Sequence, residues 1–289
     1  MSFSKFSLSA ISVVAALTFT PAVLAAPTNT NKLSAVGLTD SGTLISFKLS
    51  SPSGTTREIG FISGLVTDTA LIGIDYRVQN GLLYGVGNAG GIYIIDTTTA
   101  AASLQHRLTV ALSGTRFGVD FNPAANALRI ISDNGQNLRQ SFVLTPAGAF
   151  QNTATDAALN TGAAAPAPIV TGITAAAYTN NDLSTTTATT LFDINVTSGQ
   201  VVVQSPANSG IVVAAGSLAV PGLSGNASFD IHSDLNEAGE SVSNRAFAAL
   251  ATASGTSIYS VDFSSGRATE IGAVNAAYVL RDIALPLGQ

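Results

Sequence analysis

Five similar segments recur along the chain, and this repetition constrains the fold more than any other feature. Each contains an apolar strand, a turn of small residues and a second strand, which is the pattern of a β-hairpin. The copies lie at residues 43–60, 91–104, 137–150, 190–203 and 257–272. No stretch holds a convincing helical period of 3.6 residues. The repetition predicts an all-β protein made of similar units.

A second motif precedes every hairpin except the first, and a related segment ends the chain. The copies read GIDY (73–76), GVDF (118–121), AAAY (175–178), SFDI (228–231) and, at the C-terminus, RDIAL (281–285). Aligning them equates Asp75, Asp120, Ala177, Asp230 and Asp282, at spacings of 45 to 57 residues. The distance from Asp282 to the C-terminus, added to the distance from the mature N-terminus to Asp75, falls in the same range. The last strand therefore completes the first unit.

This circular register predicts a single five-bladed β-propeller, closed by N- and C-terminal strands that share one blade. The predicted blades are residues 33–66 with 278–287, then 70–111, 115–152, 170–205 and 224–274. Closure removes an exposed sheet edge. The alternatives are a β-sandwich, which needs no circular register, and a propeller with another number of blades. Residues 153–168 and 232–244 break the repeat, and we interpret both as loops.

The N-terminus has the features of a cleavable signal peptide. A lysine at position 5, an apolar run and the small residues of PAVLAA predict cleavage after Ala25. Residues 26–289 then form the propeller domain. We expect the mature protein to be exported to the periplasm or beyond, and no second apolar run is long enough to span a membrane.

Charge and composition exclude several classes of function. The chain has 12 Lys and Arg against 17 Asp and Glu, and loss of Lys5 brings the mature charge to about −6. A negative protein is not expected to bind nucleic acid or anionic membranes. The absence of cysteine excludes disulfides and thiolate metal sites. Two distant histidines and no G-x-S-x-G motif leave no recognisable catalytic constellation.

The repeated aspartates are the first candidate site. Inner strands line the channel of a propeller, so Asp75, Asp120, Asp230 and Asp282 should lie near one another. One interpretation is structural, with each carboxylate bonded to the next blade. The other is a cation site, with calcium as the candidate, or a pair of catalytic carboxylates. Glycoside cleavage is disfavoured because the chain has no tryptophan to stack on sugars.

The stretch GVDFNPAANALRIISDNGQNLR (118–139) is the second candidate. Aligning residues 127–142 with residues 81–96 places Arg129 at Tyr84 and Arg139 at Tyr93. Two facing arginines repel each other unless a negative group lies between them. That group is either an aspartate, Asp120 or Asp133, or a bound anion. The candidate binding residues are Asp120, Asn122, Arg129, Asp133, Asn137 and Arg139.

The same stretch resembles the signature of the bacterial family called domain of unknown function 4394. Residues 118–123, 128–133 and 135–137 together with Arg139 fit its G-[VI]-D-F-N-P and L-R-[IV]-[IV]-S-[DN]-x-G-Q-N-x-R segments. The resemblance implies an exported, propeller-like protein and supplies no catalytic residue. The predicted function is therefore a non-catalytic binding or scaffold protein, whose partner would be a protein or a small anion. A hydrolase or metal-binding protein using the channel aspartates is the alternative.

Overall fold

The computed structural model describes residues 32–162 and 166–289. Their twenty strands form five antiparallel sheets of four strands each. The predicted signal peptide, residues 1–25, lies outside the described residues. Among the residues that are described, none belongs to a helix long and apolar enough to cross a membrane.

Each sheet is one blade, whose strands are numbered in chain order and named from the inner strand outward. Blade 1 contains β20 (Leu280–Ala284), β1 (Ser34–Thr39), β2 (Thr43–Lys48) and β3 (Arg57–Phe61). Blade 2 contains β4 (Leu71–Arg77), β5 (Leu82–Gly87), β6 (Gly91–Ile95) and β7 (Ala102–Arg107). Blade 3 contains β8 (Phe117–Asn122), β9 (Ala127–Ser132), β10 (Asn137–Ser141) and β11 (Ala154–Thr155). Blade 4 contains β12 (Ile173–Tyr178), β13 (Leu191–Asn195), β14 (Gln200–Gln204) and β15 (Val212–Ser217). Blade 5 contains β16 (Leu223–Leu235), β17 (Ser241–Thr252), β18 (Gly255–Val261) and β19 (Ala268–Ala273). A one-turn helix α1 (Pro52–Thr55) and a 3₁₀ turn (Ala207–Ser209) complete the elements.

The blades close into a ring. Inner strands β20, β4, β8, β12 and β16 each contact the next one around a central axis. The C-terminal strand β20 pairs antiparallel with β1, placing Ala284 opposite Val36. The ends of the domain are thus joined within one sheet. The predicted five-bladed propeller with a shared closing blade is confirmed.

The apolar core is divided among the blade interfaces. Successive residues of a strand point to opposite faces of its sheet, so each blade packs on two neighbours. Five clusters of buried apolar side chains result, one for each pair of adjacent blades. In blade 5, for example, Phe229 packs toward blade 4 and Phe247 packs toward blade 1.

Two predicted loops contain strands. Residues 153–168 were expected to be a loop, but Ala154–Thr155 pair with β10 as the outer strand of blade 3. Residues 232–244 were also expected to be a loop, but most of them extend the β16–β17 hairpin. The predicted end of blade 4 at residue 205 is likewise too early, because its outer strand is Val212–Ser217. Small and polar residues hid β11 and the extension of the β16–β17 hairpin, since edge and projecting strands need little apolar sequence.

Neighbouring inner strands approach so closely at Gly118 that only glycine fits. A Cβ atom there would lie 2.6 Å from the amide nitrogen of Ala176 and 2.7 Å from the carbonyl carbon of Ala175. Both are backbone atoms of β12, so they cannot move aside by rotating a side chain. The absence of a side chain on β8 therefore sets the spacing between blades 3 and 4.

We expect Gly118→Ala to lower the free energy of unfolding by about 1–3 kcal/mol, the usual cost of overpacking. Urea denaturation measures this directly. Gly272→Ala is the matched control, because its Cβ would meet only the side chain of Pro52 at 3.3 Å. Equal stability of the two variants would show that the close approach of β8 and β12 is unimportant.

Candidate functional site

Each of the four channel aspartates bonds the next blade around the ring. The carboxylate oxygens accept backbone amide hydrogens in the pairs Asp75 with Phe121 (2.7 Å), Asp120 with Tyr178 (2.8 Å), Asp230 with Leu285 (2.5 Å) and Asp282 with Ile74 (2.9 Å). These are the hydrogen bonds that the structural interpretation of the repeated aspartate predicted. These amides lie on the inner edges of the sheets, where no further strand is available to accept from them.

The fourth aspartate stands at a different depth. Asp230 bonds the amide that follows Ala284, just as Asp120 bonds the amide that follows Ala177. Ala284 is therefore the blade 1 counterpart of the repeated aspartate, and Asp282 lies two residues earlier. Its bond to Ile74 places it at the level of Gly73. The alignment of Asp282 with the other three was wrong by two residues.

Three carboxylates satisfy five equivalent amides. Besides their bonds to the next blade, Asp75 accepts the amide of Tyr76 through Oδ1 at 2.6 Å, and Asp230 accepts that of Ile231 at 2.5 Å. Each of these two amides lies in a blade whose preceding neighbour in the ring has alanine in place of the aspartate. Ala284 precedes the blade of Tyr76, and Ala177 precedes the blade of Ile231. Asp75 and Asp230 therefore each serve two amides and Asp120 serves one. The two missing carboxylates leave no gap in the ring of hydrogen bonds.

The three carboxylates at this level converge. One oxygen each of Asp75, Asp120 and Asp230 lies within 4.8 Å of the other two. All three side chains are buried. Burial, opposed by the amide hydrogen bonds, raises the pKa of Asp230 to about 7. Burial and then the neighbouring carboxylates raise the pKa of Asp75 and that of Asp120 well above the usual value.

Arg129 lies buried between blades 3 and 4, and each of its nitrogens has an acceptor. Nη1 donates to Asn137 and to Asp156, both at 2.7 Å, and Nη2 donates to Asn208 at 2.7 Å. Nε donates to the hydroxyl of Tyr178 at 3.3 Å. The side chain joins two blades through four polar partners.

Asp156 is the negative group between the two arginines. Arg139 lies directly opposite Arg129 and donates to both oxygens of Asp156, at 3.0 and 3.1 Å. The prediction that this group is Asp120 or Asp133 was wrong. Asp156 was not recognised as a candidate because it follows β11, an outer strand that the sequence analysis did not predict. The charge of the arginines is thus balanced within the chain, and the hypothesis of a bound anion loses its basis.

The remaining predicted residues serve local structure. Asp133 accepts the amide of Thr115 at 2.9 Å, and Asn122 accepts that of Ala125 at 3.0 Å. Asp133 lies outside the cluster formed by Arg129, Asn137 and Arg139. Asp120 and Asn122 border this cluster through Tyr178, whose amide donates to Asp120 and whose hydroxyl bonds both Arg129 and Asn122. The strand register also corrects the alignment of the two arginines with blade 2. Arg129 does correspond to Tyr84, but Arg139 corresponds to Ile94 and not to Tyr93.

Asp193 is a buried carboxylate that the sequence analysis missed. It lies in β13 and is fully buried, and neither of its oxygens has a hydrogen-bond partner within residues 32–162 and 166–289. Burial raises its pKa well above the usual value, and the charge of Arg129 opposes this rise. The segment TLFDIN resembles every other blade strand, so nothing in the sequence distinguished this aspartate.

A depression of about 880 Å³ opens at the end of the propeller where the inner strands end. We call it the rim pocket. It is lined by segments 181–186, 231–240 and 285–288, with Val78 and Gly81 on the far side. Two departures from the repeat build its walls. One is the β16–β17 hairpin, whose strands of 13 and 12 residues are the longest described, and the other is the connection between β12 and β13.

The two walls are joined by hydrogen bonds from backbone amides to polar side chains. The amide of Asn180 donates to the side chain of Asn244 at 2.9 Å, and the amide of Asn181 donates to the hydroxyl of Ser233 at 2.8 Å. Asp182 accepts the amide of Ser241 at 2.9 Å. The connection of blade 4 is therefore fixed against the projecting hairpin, which gives the pocket a defined shape.

His232 lies in the floor of the rim pocket. It is buried, and its Nε2 is 3.5 Å from an oxygen of Asp234. Burial and then Arg245 lower the pKa of His232, so the ring is neutral near pH 7. Asp234 is held by both Arg245, at 2.6 and 3.1 Å, and the hydroxyl of Ser243 at 2.6 Å. No sequence motif marked this group.

The family comparison matches residues 43–284. The chain belongs to the domain of unknown function 4394 family. This confirms the resemblance seen in residues 118–139, and the Arg129 cluster explains that signature as the joint between blades 3 and 4. No curated protein matches the chain.

Solved structures match the chain at low identity and with TM-scores below 0.5. The auxiliary nutrient binding protein of Bacteroides ovatus matches with a TM-score of 0.40 and 15% identity, over 63% of this chain and 46% of its own. That of Bacteroides thetaiotaomicron gives 0.40 and 15%, over 74% and 55%. A chain of the nidogen/laminin complex gives 0.46 and 10%, over 89% and 99%. The chain thus spans about half the length of the two nutrient binding proteins.

In this family member, we expect Asp156→Asn to lower the free energy of unfolding by about 3–5 kcal/mol, because a buried guanidinium would lose its counter-charge. Asp133→Asn, which removes a carboxylate that accepts only local bonds, should cost about 1 kcal/mol. Urea denaturation compares the two. If they cost the same, Asp156 does not hold the arginine pair together.

We expect Asp193 to make stability fall as pH rises. Its folded pKa lies above its unfolded value of about 3.9, so the folded state holds the extra proton between those values. Its contribution to the free energy of unfolding is fully present below about pH 4. As pH rises toward the folded pKa, this contribution is lost at up to about 1.4 kcal/mol per pH unit. Asp193→Asn should therefore become more stable relative to wild type from pH 4 to pH 7 in denaturant titrations. The exposed Glu237→Gln is the control, and a similar trend there would refute the assignment.

Proposed function

We propose that this protein is an exported, non-catalytic binding propeller that takes its ligand in the rim pocket. The observation that carries the proposal is that the pocket is built from the two segments that depart from the repeat. Residues that recur from blade to blade serve closure of the ring, as the aspartate–amide bonds do. Binding sites are commonly carried by such variable additions on a rigid scaffold.

The lining of the pocket favours a neutral or cationic ligand. Asp182 and Glu240 are the charged residues among the described lining, and no Lys or Arg accompanies them. His232 is neutral near pH 7, as its lowered pKa implies. Leu183 and Leu235, both largely exposed, add apolar surface at the rim. A small amphipathic molecule with amine or hydroxyl groups matches this combination.

The position of the aspartates weighs against the hydrolase alternative. Both oxygens of Asp75 and both oxygens of Asp230 already accept backbone amides. A general acid and a nucleophile would have to be two carboxyls in different environments with access to substrate. The equivalent bonding of these side chains supports a structural role.

Calorimetric titration with spermidine, cellobiose and citrate tests the charge preference. We expect spermidine to bind, citrate not to bind, and Glu240→Gln to weaken spermidine binding by about threefold, as for an exposed charge pair. Glu270→Gln, on the outer strand β19, is the matched control and should bind as wild type does.

Filling the pocket tests its location. Ser184→Trp places a large ring among the lining residues and should abolish spermidine binding. Binding that survives Ser184→Trp, or citrate binding as tightly as spermidine, would contradict the proposal.

A further inference from the structure

We propose that Asp75, Asp120 and Asp230 together bind one hard divalent cation, such as Ca²⁺, in the channel. One carboxylate oxygen of each lies within 4.8 Å of the other two, a spacing that lets all three contact one ion at calcium–oxygen distances. Each oxygen that accepts an amide keeps a second lone pair for a metal. The described hydrogen bond of Asp120 uses only Oδ1, so its Oδ2 is the least committed of the set.

The charge of the three carboxylates is not balanced by any ion pair among the described residues. The salt bridges of the described chain use Asp40, Asp68, Asp156 and Asp234 instead. The other charged groups nearby are Asp282, which adds to the negative charge, and Arg281, which bonds Asp40 at 2.8 Å. The phenol of Tyr76 also faces the group. A buried carboxylate that stays ionised needs a positive partner or a metal ion.

A second, independent observation points to a ligand on the same axis. Ser228 is buried, and its hydroxyl has no hydrogen-bond partner among the residues that the structure describes. It lies two residues before Asp230 on β16, and the strand period of two turns both side chains toward blade 1. The packing of the alternate residues Ala227 and Phe229 against blade 4 agrees with this direction. The hydroxyl therefore lies on the same face of β16 as Asp230, where a metal-bound water would give it a partner.

The pattern of alanines sets the charge of the site. Ala177 and Ala284 replace two of the five possible carboxylates. Five carboxylates would carry far more charge than one divalent ion can offset, whereas three suit it. Ca²⁺ takes six to eight oxygens, so water along the channel would supply the remainder.

Metal binding to the full chain tests the proposal independently of the rim pocket. Protein treated with EDTA is dialysed and its melting temperature measured with Ca²⁺ or Mg²⁺ at about 1–10 mM, above dissociation constants of about 10⁻⁴–10⁻³ M typical of extracellular calcium modules. We expect a rise of several degrees with at least one of the ions. Elemental analysis of protein dialysed against that ion should find one ion per chain.

Asp120→Asn should abolish metal binding yet still fold, because the asparagine oxygen can accept the amide of Tyr178. Asp193→Asn, which changes a buried aspartate outside the channel, should bind as wild type does. Ser228→Ala offers a milder variant with an expected loss of about tenfold in affinity. No ion retained and no change in melting temperature in wild type would overturn the proposal, as would equal binding by wild type and Asp120→Asn.

Discussion

The rest of this structure depends on how the inner edges of five sheets are satisfied. An edge strand presents unpaired amides, and in a closed ring these face a narrow channel. Here the carboxylates of Asp75, Asp120 and Asp230 accept them, and each carboxylate reaches the next blade. The hydrogen bonds therefore fix the angle and depth at which neighbouring blades meet. Apolar packing between blades adds most of the stabilisation but, being non-directional, does not fix this register.

Closure and repetition could be read from the sequence, because they follow from local rules. Hairpin alternation predicted most strands, and the terminal segment RDIAL predicted the shared blade. The level of Asp282 could not be read, because the motif was aligned on its aspartate and the segment RDIAL has its aspartate two residues earlier in the strand, at the level of Gly73 in blade 2. An alignment on one residue type can equate side chains that lie at different levels of the channel.

The candidate site was harder to predict, since it depends on contacts distant in sequence. The charged pair Arg129 and Arg139 was visible as an anomaly among small residues. Their partner Asp156 was not, because it lies in a segment of small and polar residues that offered no strand pattern. His232 and Asp234 were concealed in the same way by a polar hairpin taken for a loop. Such residues acquire a role only from the neighbours that folding supplies.

The channel and the rim pocket are physically connected through Asp230. Its carboxylate accepts the amides of Ile231 and Leu285, and both residues line the pocket. A change in the charge or ligation of Asp230 therefore acts on the backbone at the pocket floor. Because a coupling of this kind is reciprocal, a ligand that shifts Ile231 or Leu285 would change the affinity of the channel by the same factor. The ring of hydrogen bonds that closes the propeller is thus also the shortest path between its two proposed sites.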